Sequence, residues 1–310
     1  MARRIIVTAR AKLNLGLAVG PRRPDGYHDL ATVFQSISLA DTLVVEPRRS
    51  GFTLEVRHEE GAARGRTPHS RDTSVPGGRD NLVLRAARLL RDRIGLEGGA
   101  HFRLVKRIPV RAGLGGGSAD GAAAIAGLLA LRRVRIAAEK KLEVALELGS
   151  DVPFAMRGGT ALGLGHSEHL TPLVLAKPFR AIIAAPRWSI STALAFAEID
   201  RRKYDLTAWK AKLRSAQLLE RNQLRAEASL RFGNTFEEVL GARQSDFISL
   251  VARLREAGLN EVRMTGSGSA IFGVLSPGVP AIKIVGRFVG DEALFIVRSA
   301  ANGLSLSTLP

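Results

Sequence analysis

The stretch P-V-R-A-G-L-G-G-G-S-A-D, Pro109 to Asp120, places glycine at 113, 115, 116 and 117 directly ahead of a run of small residues. Without Cβ atoms, such glycines let backbone N–H groups come close to phosphate oxygens, and a helix starting behind them adds the partial positive charge of its N-terminus. The stretch therefore suits a polyphosphate; a tight turn or close packing is the alternative reading of the glycines alone. It is not a Walker A loop, because no Lys-Ser or Lys-Thr follows the last glycine, and its spacing fails the dinucleotide fingerprint. Upstream, His101 to Lys106 reads as a short strand; downstream, Ser118 to Leu131 reads as a helix able to pack closely on a sheet.

Working outward, Asp80 stands where a helix N-cap is expected, followed by Leu82, Ala86, Leu89, Leu90 and Ile94 on one face and Gly95 as C-cap. Arg57 to Gly78 is polar and reads as an exposed insertion. Arg4 to Leu17 reads as a strand whose alternation puts Lys12 and Asn14 on one face and Leu13 and Leu15 on the other. Gly20 to Tyr27 reads as a loop and Leu30 to Val45 as a further strand. On the other side, a helix over Ala137 to Leu148 ends at Gly149, before Ser150-Asp151-Val152-Pro153. Arg180 to Ala185 reads as strand, Tyr204 to Arg231 as mostly helix, and Asp246 to Ala257 as a helix closed by Gly258. The strands Glu261 to Thr265 and Ala270 to Leu275 flank a second glycine loop.

At 310 residues the chain exceeds a usual domain of roughly 100–200 residues. Two domains are expected, 1–165 and 166–310, with the boundary in the glycine-rich segment Gly158 to Gly165. A 45% hydrophobic and 24% charged composition is that of a chain with a sizeable core. The absence of cysteine excludes disulfides, thiolate metal sites and cysteine nucleophiles. Arg10 and Lys12 interrupt the N-terminal apolar run, and the longest such run, Gly121 to Leu131, is far below the roughly 18 residues of a membrane span. A cytoplasmic protein with no membrane partner is expected. The +17 net charge raises a nucleic-acid alternative, but the arginines are scattered and no docking motif accompanies them. No nucleic acid is expected as a partner, and the chain is expected to be a monomer or weak dimer. His166 and His169 have no third ligand nearby in sequence, so no metal site is expected there.

The Pro109–Asp120 stretch resembles the second motif of the GHMP kinases, the superfamily of galactokinase, homoserine kinase and mevalonate kinase. The segments A-K-L-N-L-G-L (Ala11 to Leu17), R-P-D-G-Y-H-D-L (Arg23 to Leu30), D-N-L (Asp80 to Leu82), L-G-S-D-V-P-F (Leu148 to Phe154) and M-T-G-S-G-S-A-I-F-G (Met264 to Gly273) extend the resemblance over most of the chain in order. The first two are similar to the members that phosphorylate the 2-hydroxyl of a cytidine diphosphate sugar alcohol on the non-mevalonate route to isoprenoids. Mevalonate or homoserine as acceptor, and a basic RNA-binding protein, are the alternatives.

The resemblance implies an α+β fold of two domains, the first like the second domain of ribosomal protein S5 and the second ferredoxin-like. It implies ATP, with Mg²⁺ arriving on its phosphates. Asn81 and the loop residues Pro109, Val110, Arg111, Ala112, Gly113, Leu114, Gly115, Gly116, Gly117, Ser118 and Ala119 match nucleotide-binding positions. Lys12 and Asp151 match the catalytic pair; taken alone, they read equally as a solvated strand lysine and a turn cap. Tyr27 and Phe196 match a pair that stacks on the pyrimidine, His28 the residue that hydrogen-bonds it, and Asn14 and Thr192 polar residues near the sugar alcohol. Gly233 to Glu237 resembles a degraded G-N-D-L-E motif, which leaves any role there open.

Overall fold

The computed structural model describes residues 3–59, 61, 64, 78, 80–165, 169–201, 206–218 and 232–309. The expected exposed insertion, His166, and the expected helix beyond residue 218 lie largely or wholly outside them. The first sheet is built on a long antiparallel hairpin of β1 (Arg4–Arg22) and β2 (His28–Arg48). Both strands outrun their sequence expectations, because pairing continues to Arg22 and His28 and leaves only a tight turn between them. β3 (Phe52–His58), β4 (Gly99–Lys106), β5 (Thr160–Gly165), β6 (His169–Leu173) and β11 (Leu304–Leu309) complete this sheet. Its order is β11-β1-β2-β4-β3, with β5 on the first half of β2 and β6 beyond it. The larger sheet thus reaches past residue 165 and also takes back the last described strand.

The second sheet has the order β10-β7-β9-β8, from β7 (Arg180–Ala185), β8 (Val262–Met264), β9 (Ile271–Val274) and β10 (Ala293–Arg298). In chain order its parts run β7, helix, β8, β9, helix, β10, and the first strand lies between the fourth and the third. That is the connectivity of a ferredoxin-like unit.

Helices α1 (Leu82–Ile94), α2 (Gly116–Arg132), α3 (Ala138–Leu148) and α4 (Val152–Arg157) cover one face of the first sheet. Its other face packs on the second sheet, with Leu13, Leu15 and Ile37 meeting Ile183, Phe272 and Phe295 in one core. Helices α5 (Thr192–Arg201), α7 (Gln244–Glu256) and α8 (Ala281–Arg287) cover the far side; α6 (Leu206–Leu218) lies against the hairpin. Burying a side chain such as Leu90 or Phe102, both 0% exposed, stabilises the fold by about 1.5–3 kcal/mol each.

Helix α1 begins one residue later than expected. Asn81 is the N-cap, its side chain accepting from Val83 N at 2.9 Å, while Asp80 lies in the preceding turn. The C-cap is Gly95, with φ 64°, as its position in the pattern predicts. Asn81→Ala is expected to cost about 1 kcal/mol in urea unfolding, the usual loss of an N-cap.

One irregularity in β1 positions the chemistry. Ile5, Val7 and Ala9 enter the core beneath the helices, whereas Ala11, Leu13 and Leu15 enter the core shared with the second sheet. Odd positions change faces across the register shift between Arg10 and Lys12. A bulge of this kind re-aims every side chain after it. Lys12 and Asn14 are thereby turned to the helix side, toward the glycine loop.

Candidate active site

The loop ahead of α2 is keyed into both sheets. Lys12 N donates to Leu114 O at 3.0 Å, and Ala270 N, from the second glycine loop, donates to Ala112 O at 3.1 Å. Gly113 has φ 76°, and a Cβ there would lie 2.1 Å from Thr265 O, so only glycine fits. A Cβ on Gly115 would lie 2.9 Å from Lys12 Cγ, which brings the loop directly over the lysine stem. Thr265 also holds β1, its Oγ1 accepting from Asn14 N at 3.0 Å.

Two cavities meet at this loop. One, of about 350 Å³, is walled by Asn81 and by every residue from Pro109 to Ser118. The glycine-rich wall and the first turn of α2 give it the character of a phosphate site. Ala119 is the exception among the expected nucleotide contacts. It is 1% exposed in the core beneath α2, and its N–H is already given to Gly115 O at 2.9 Å. The second cavity, of about 720 Å³, is lined by Lys12, Asn14, Asp151, Thr192 and Phe196, among others. Arg111, Gly113, Gly115 and Ser118 line both.

In the larger cavity, Lys12 Nζ lies 3.4 Å from Asp151 Oδ2 and 2.5 Å from Asn14 Oδ1. Its ammonium stands 5.4 Å from the centre of the Phe34 ring, which is itself stacked on Phe154. Asn14 is oriented in turn, donating from Nδ2 to Thr32 Oγ1 at 2.8 Å, and Thr32 donates to Gly16 O at 2.8 Å. Lys12 is 7% exposed, so it is not a solvated strand lysine. Asp151 precedes α4 but makes no capping bond with its side chain, so it is not a turn cap either; the carboxylate faces Lys12.

The far end of the larger cavity is built by α5. Thr192 Oγ1 lies 2.7 Å from Ser267 Oγ on the second glycine loop, and Phe196 lines the wall. The Phe196 ring lies against His28, with centroids 5.1 Å apart, and edge-on to Phe236 at 5.0 Å. Tyr27 is 64% exposed at the tip of the β1–β2 turn. His28 is buried, with Nδ1 2.9 Å from Gly20 O and Nε2 3.1 Å from Asp200 Oδ1. Sequence reasoning missed Asp200, although positions 192, 196 and 200 fall on one helix stripe that could have flagged it.

Two supporting groups had no role assigned from sequence. Asn234 donates from Nδ2 to Met264 O and Gly266 O, both at 2.9 Å, and Glu237 accepts from Met264 N at 2.7 Å. The degraded motif thus buttresses the second glycine loop. Beneath the first loop, Lys106 is buried between Asp41 and Asp120, at 2.6 Å from the latter's Oδ2. Asp41 also accepts from Arg107 N and Ile108 N, while Asp120 Oδ1 is buried without a hydrogen-bond partner. Burial holds the Asp120 carboxyl well above the usual carboxylate range, against the opposing pull of Lys106, and the neighbouring Asp41 adds to the rise. Both Lys106 and Asp120 line the smaller cavity.

Two cavities sharing a glycine loop, the larger holding a lysine against a carboxylate, on this two-sheet fold, define a kinase of the GHMP superfamily. Residues 81–159 match the family described as GHMP kinases N terminal domain. The chain is 37% identical over 297 residues, 95% of its length and 98% of the relative's, to the 4-diphosphocytidyl-2-C-methyl-D-erythritol kinase of Pelotomaculum thermopropionicum. It is 38% identical to that of Kineococcus radiotolerans, over 91% of this chain and 82% of the relative. The chain belongs to the 4-diphosphocytidyl-2-C-methyl-D-erythritol kinase family. A crystal structure of 4-(cytidine 5'-diphospho)-2C-methyl-D-erythritol kinase superposes with a TM-score of 0.72 at 32% identity, covering 95% of this chain and 99% of that one. Homoserine kinase from Cytophaga hutchinsonii shares the fold, with a TM-score of 0.71 at 17% identity over 98% of this chain and 97% of that one. Among the described residues, no helix is long and apolar enough to cross a membrane.

Proposed function

We propose that this chain transfers the γ-phosphoryl group of ATP to the 2-hydroxyl of 4-diphosphocytidyl-2-C-methyl-D-erythritol, a step toward isoprenoids. The observation that carries the reading is the Lys12–Asp151 pair, 3.4 Å apart in the larger cavity, with Gly115 of the shared loop over the lysine stem. Asp151 accepts the proton of the acceptor hydroxyl as the oxygen attacks phosphorus. Lys12, held by Asn14 and Phe34, orients the carboxylate and stabilises negative charge on the hydroxyl oxygen and the transferring group. Backbone N–H groups from Gly113 to Ser118 hold the phosphates in line. Among the described residues, no three His, Asp or Glu side chains are grouped to hold a metal. Mg²⁺ arriving with ATP would be held by the phosphate oxygens and would neutralise part of their charge.

Tyr27 and Phe196 would flank the cytosine, with His28 at its edge. The test is a coupled assay of ADP release with the cytidine acceptor, mevalonate and homoserine side by side. Turnover is expected with the first alone; turnover with either of the others and not the first would overturn the assignment. Stacking a base on an aromatic ring contributes about 1–3 kcal/mol. Tyr27→Ala is accordingly expected to raise KM for the cytidine acceptor roughly tenfold, with little change in KM for ATP.

A further inference from the structure

We infer that the groove at the far end of α2 is a second ligand site, built for a soluble aliphatic diphosphate. Its volume, about 750 Å³, falls within the roughly 300–1,000 Å³ usual for small-molecule sites. It opens where α2 ends and is walled by the α2–α3 connection, α3, α4 and β11. The 17 residues of α2 put it about 25 Å from the phosphate loop at the helix's other end. It shares no lining residue with either cavity of the active site.

The apolar part of the lining is aliphatic. Leu129 is buried, Ile136 and Met156 are half-buried, and Leu306 of β11 is exposed beside them. Among the described residues, no lining side chain is aromatic. A flat base would find nothing to stack on, whereas an alkyl chain would find apolar surface to cover. The most buried of these side chains are recessed among the helices, so the tail must enter the protein. That geometry favours a single-chain ester over the face of a bilayer.

The polar part is cationic throughout, with Arg3, Arg133, Arg135 and Lys141 and no carboxylate among the described lining residues. None of these four side chains makes an ion pair or hydrogen bond among the described residues, and Arg3 Nε is buried without an acceptor. A buried donor left unpaired is costly, and an anionic oxygen in the groove would satisfy it. Arg133 points the same way. It caps α2 at φ 54°, a left-handed conformation that glycine adopts more easily. The cap itself is made by backbone, Arg133 N donating to Ala130 O and Val134 N to Leu129 O. What an arginine adds at that position is charge beside the groove. Four cations next to an aliphatic surface fit a polyanionic head on an alkyl tail.

The experiment is calorimetric titration of the full chain with geranyl diphosphate, geraniol and inorganic pyrophosphate, with ADP saturating the phosphate loop throughout. Geranyl diphosphate should bind at least about tenfold more tightly than either fragment, because it alone uses both the aliphatic surface and the cations. Arg133→Gly should weaken it at least about tenfold while kinase turnover and melting temperature hold, since glycine is at ease in the left-handed cap. Leu306→Ser should lower affinity for geranyl diphosphate and leave that for pyrophosphate unchanged. Arg287→Ala, which removes the same charge outside the groove, should bind as wild type does. No binding in the presence of ADP would place the probe in the nucleotide site and overturn the inference. So would wild-type affinity in Arg133→Gly, equal weakening in Arg287→Ala, a fragment that binds as tightly as the ester, or capture on phosphatidylglycerol vesicles without binding of the soluble ester.

Discussion

Asp151→Asn is expected to leave a folded protein that binds ATP normally and transfers phosphate roughly 10²–10⁴-fold more slowly, the range set by losing a positioned general base. The amide keeps the shape of the carboxylate and its place ahead of α4, where the side chain makes no capping bond that the change could break. What disappears is the proton acceptor and the negative charge beside Lys12 Nζ. Single-turnover phosphoryl transfer, with nucleotide binding followed by calorimetry, separates the two effects. Full activity in this variant would rule out Asp151 as the base.

The second large effect is on stability. Lys106→Met removes the only cation between Asp41 and Asp120 among the described residues, both of which are buried. Breaking a buried ion pair from one side typically costs about 3–5 kcal/mol, because an uncompensated charge stays behind. Urea unfolding should show that loss, and Asp120→Asn in the same chain should restore part of it; an unchanged midpoint in the single variant would refute the account. Asp120 also predicts a pH trend. Its folded-state carboxyl titrates above the unfolded one, so in the window between the two the folded chain holds the extra proton. Stability therefore falls as pH rises from the ordinary carboxylate range through the raised value, and Asp120→Asn should flatten that slope.

The cluster has a bearing on the loop above it. A Cβ on Gly116 would lie 3.2 Å from Lys106 Nζ, so the ammonium sits directly under the first turn of α2. Asp41, within β2, and Asp120, inside α2, clamp the two ends of the phosphate loop through one lysine.

What could be read ahead of the structure was local. The glycine loop, its flanking strand and helix, and the Gly95 cap follow from short-range pattern and turn chemistry. Lys12 and Asn14 sharing a face followed from alternation. Which face they share did not, because the bulge between Arg10 and Lys12 has no marker such as glycine or proline. The Asp41–Lys106–Asp120 cluster joins positions 65 and 14 residues apart, a separation no periodicity spans. Ala119 was carried into the nucleotide contacts by its place in the motif, whereas helix geometry turns it into the core. Asn234 and Glu237 keep their buttressing bonds to the second glycine loop although the residues between them depart from the motif.

The shared wall of the two cavities sets a route to selective ligands. Because Arg111, Gly113, Gly115 and Ser118 face both spaces, the two cavities adjoin along one lip. Tethering a nucleotide fragment to an acceptor fragment across that lip makes the second docking event intramolecular, so two weak fragments acquire the affinity of one strong inhibitor. The acceptor half then supplies the discrimination that a nucleotide pocket shared by many kinases cannot.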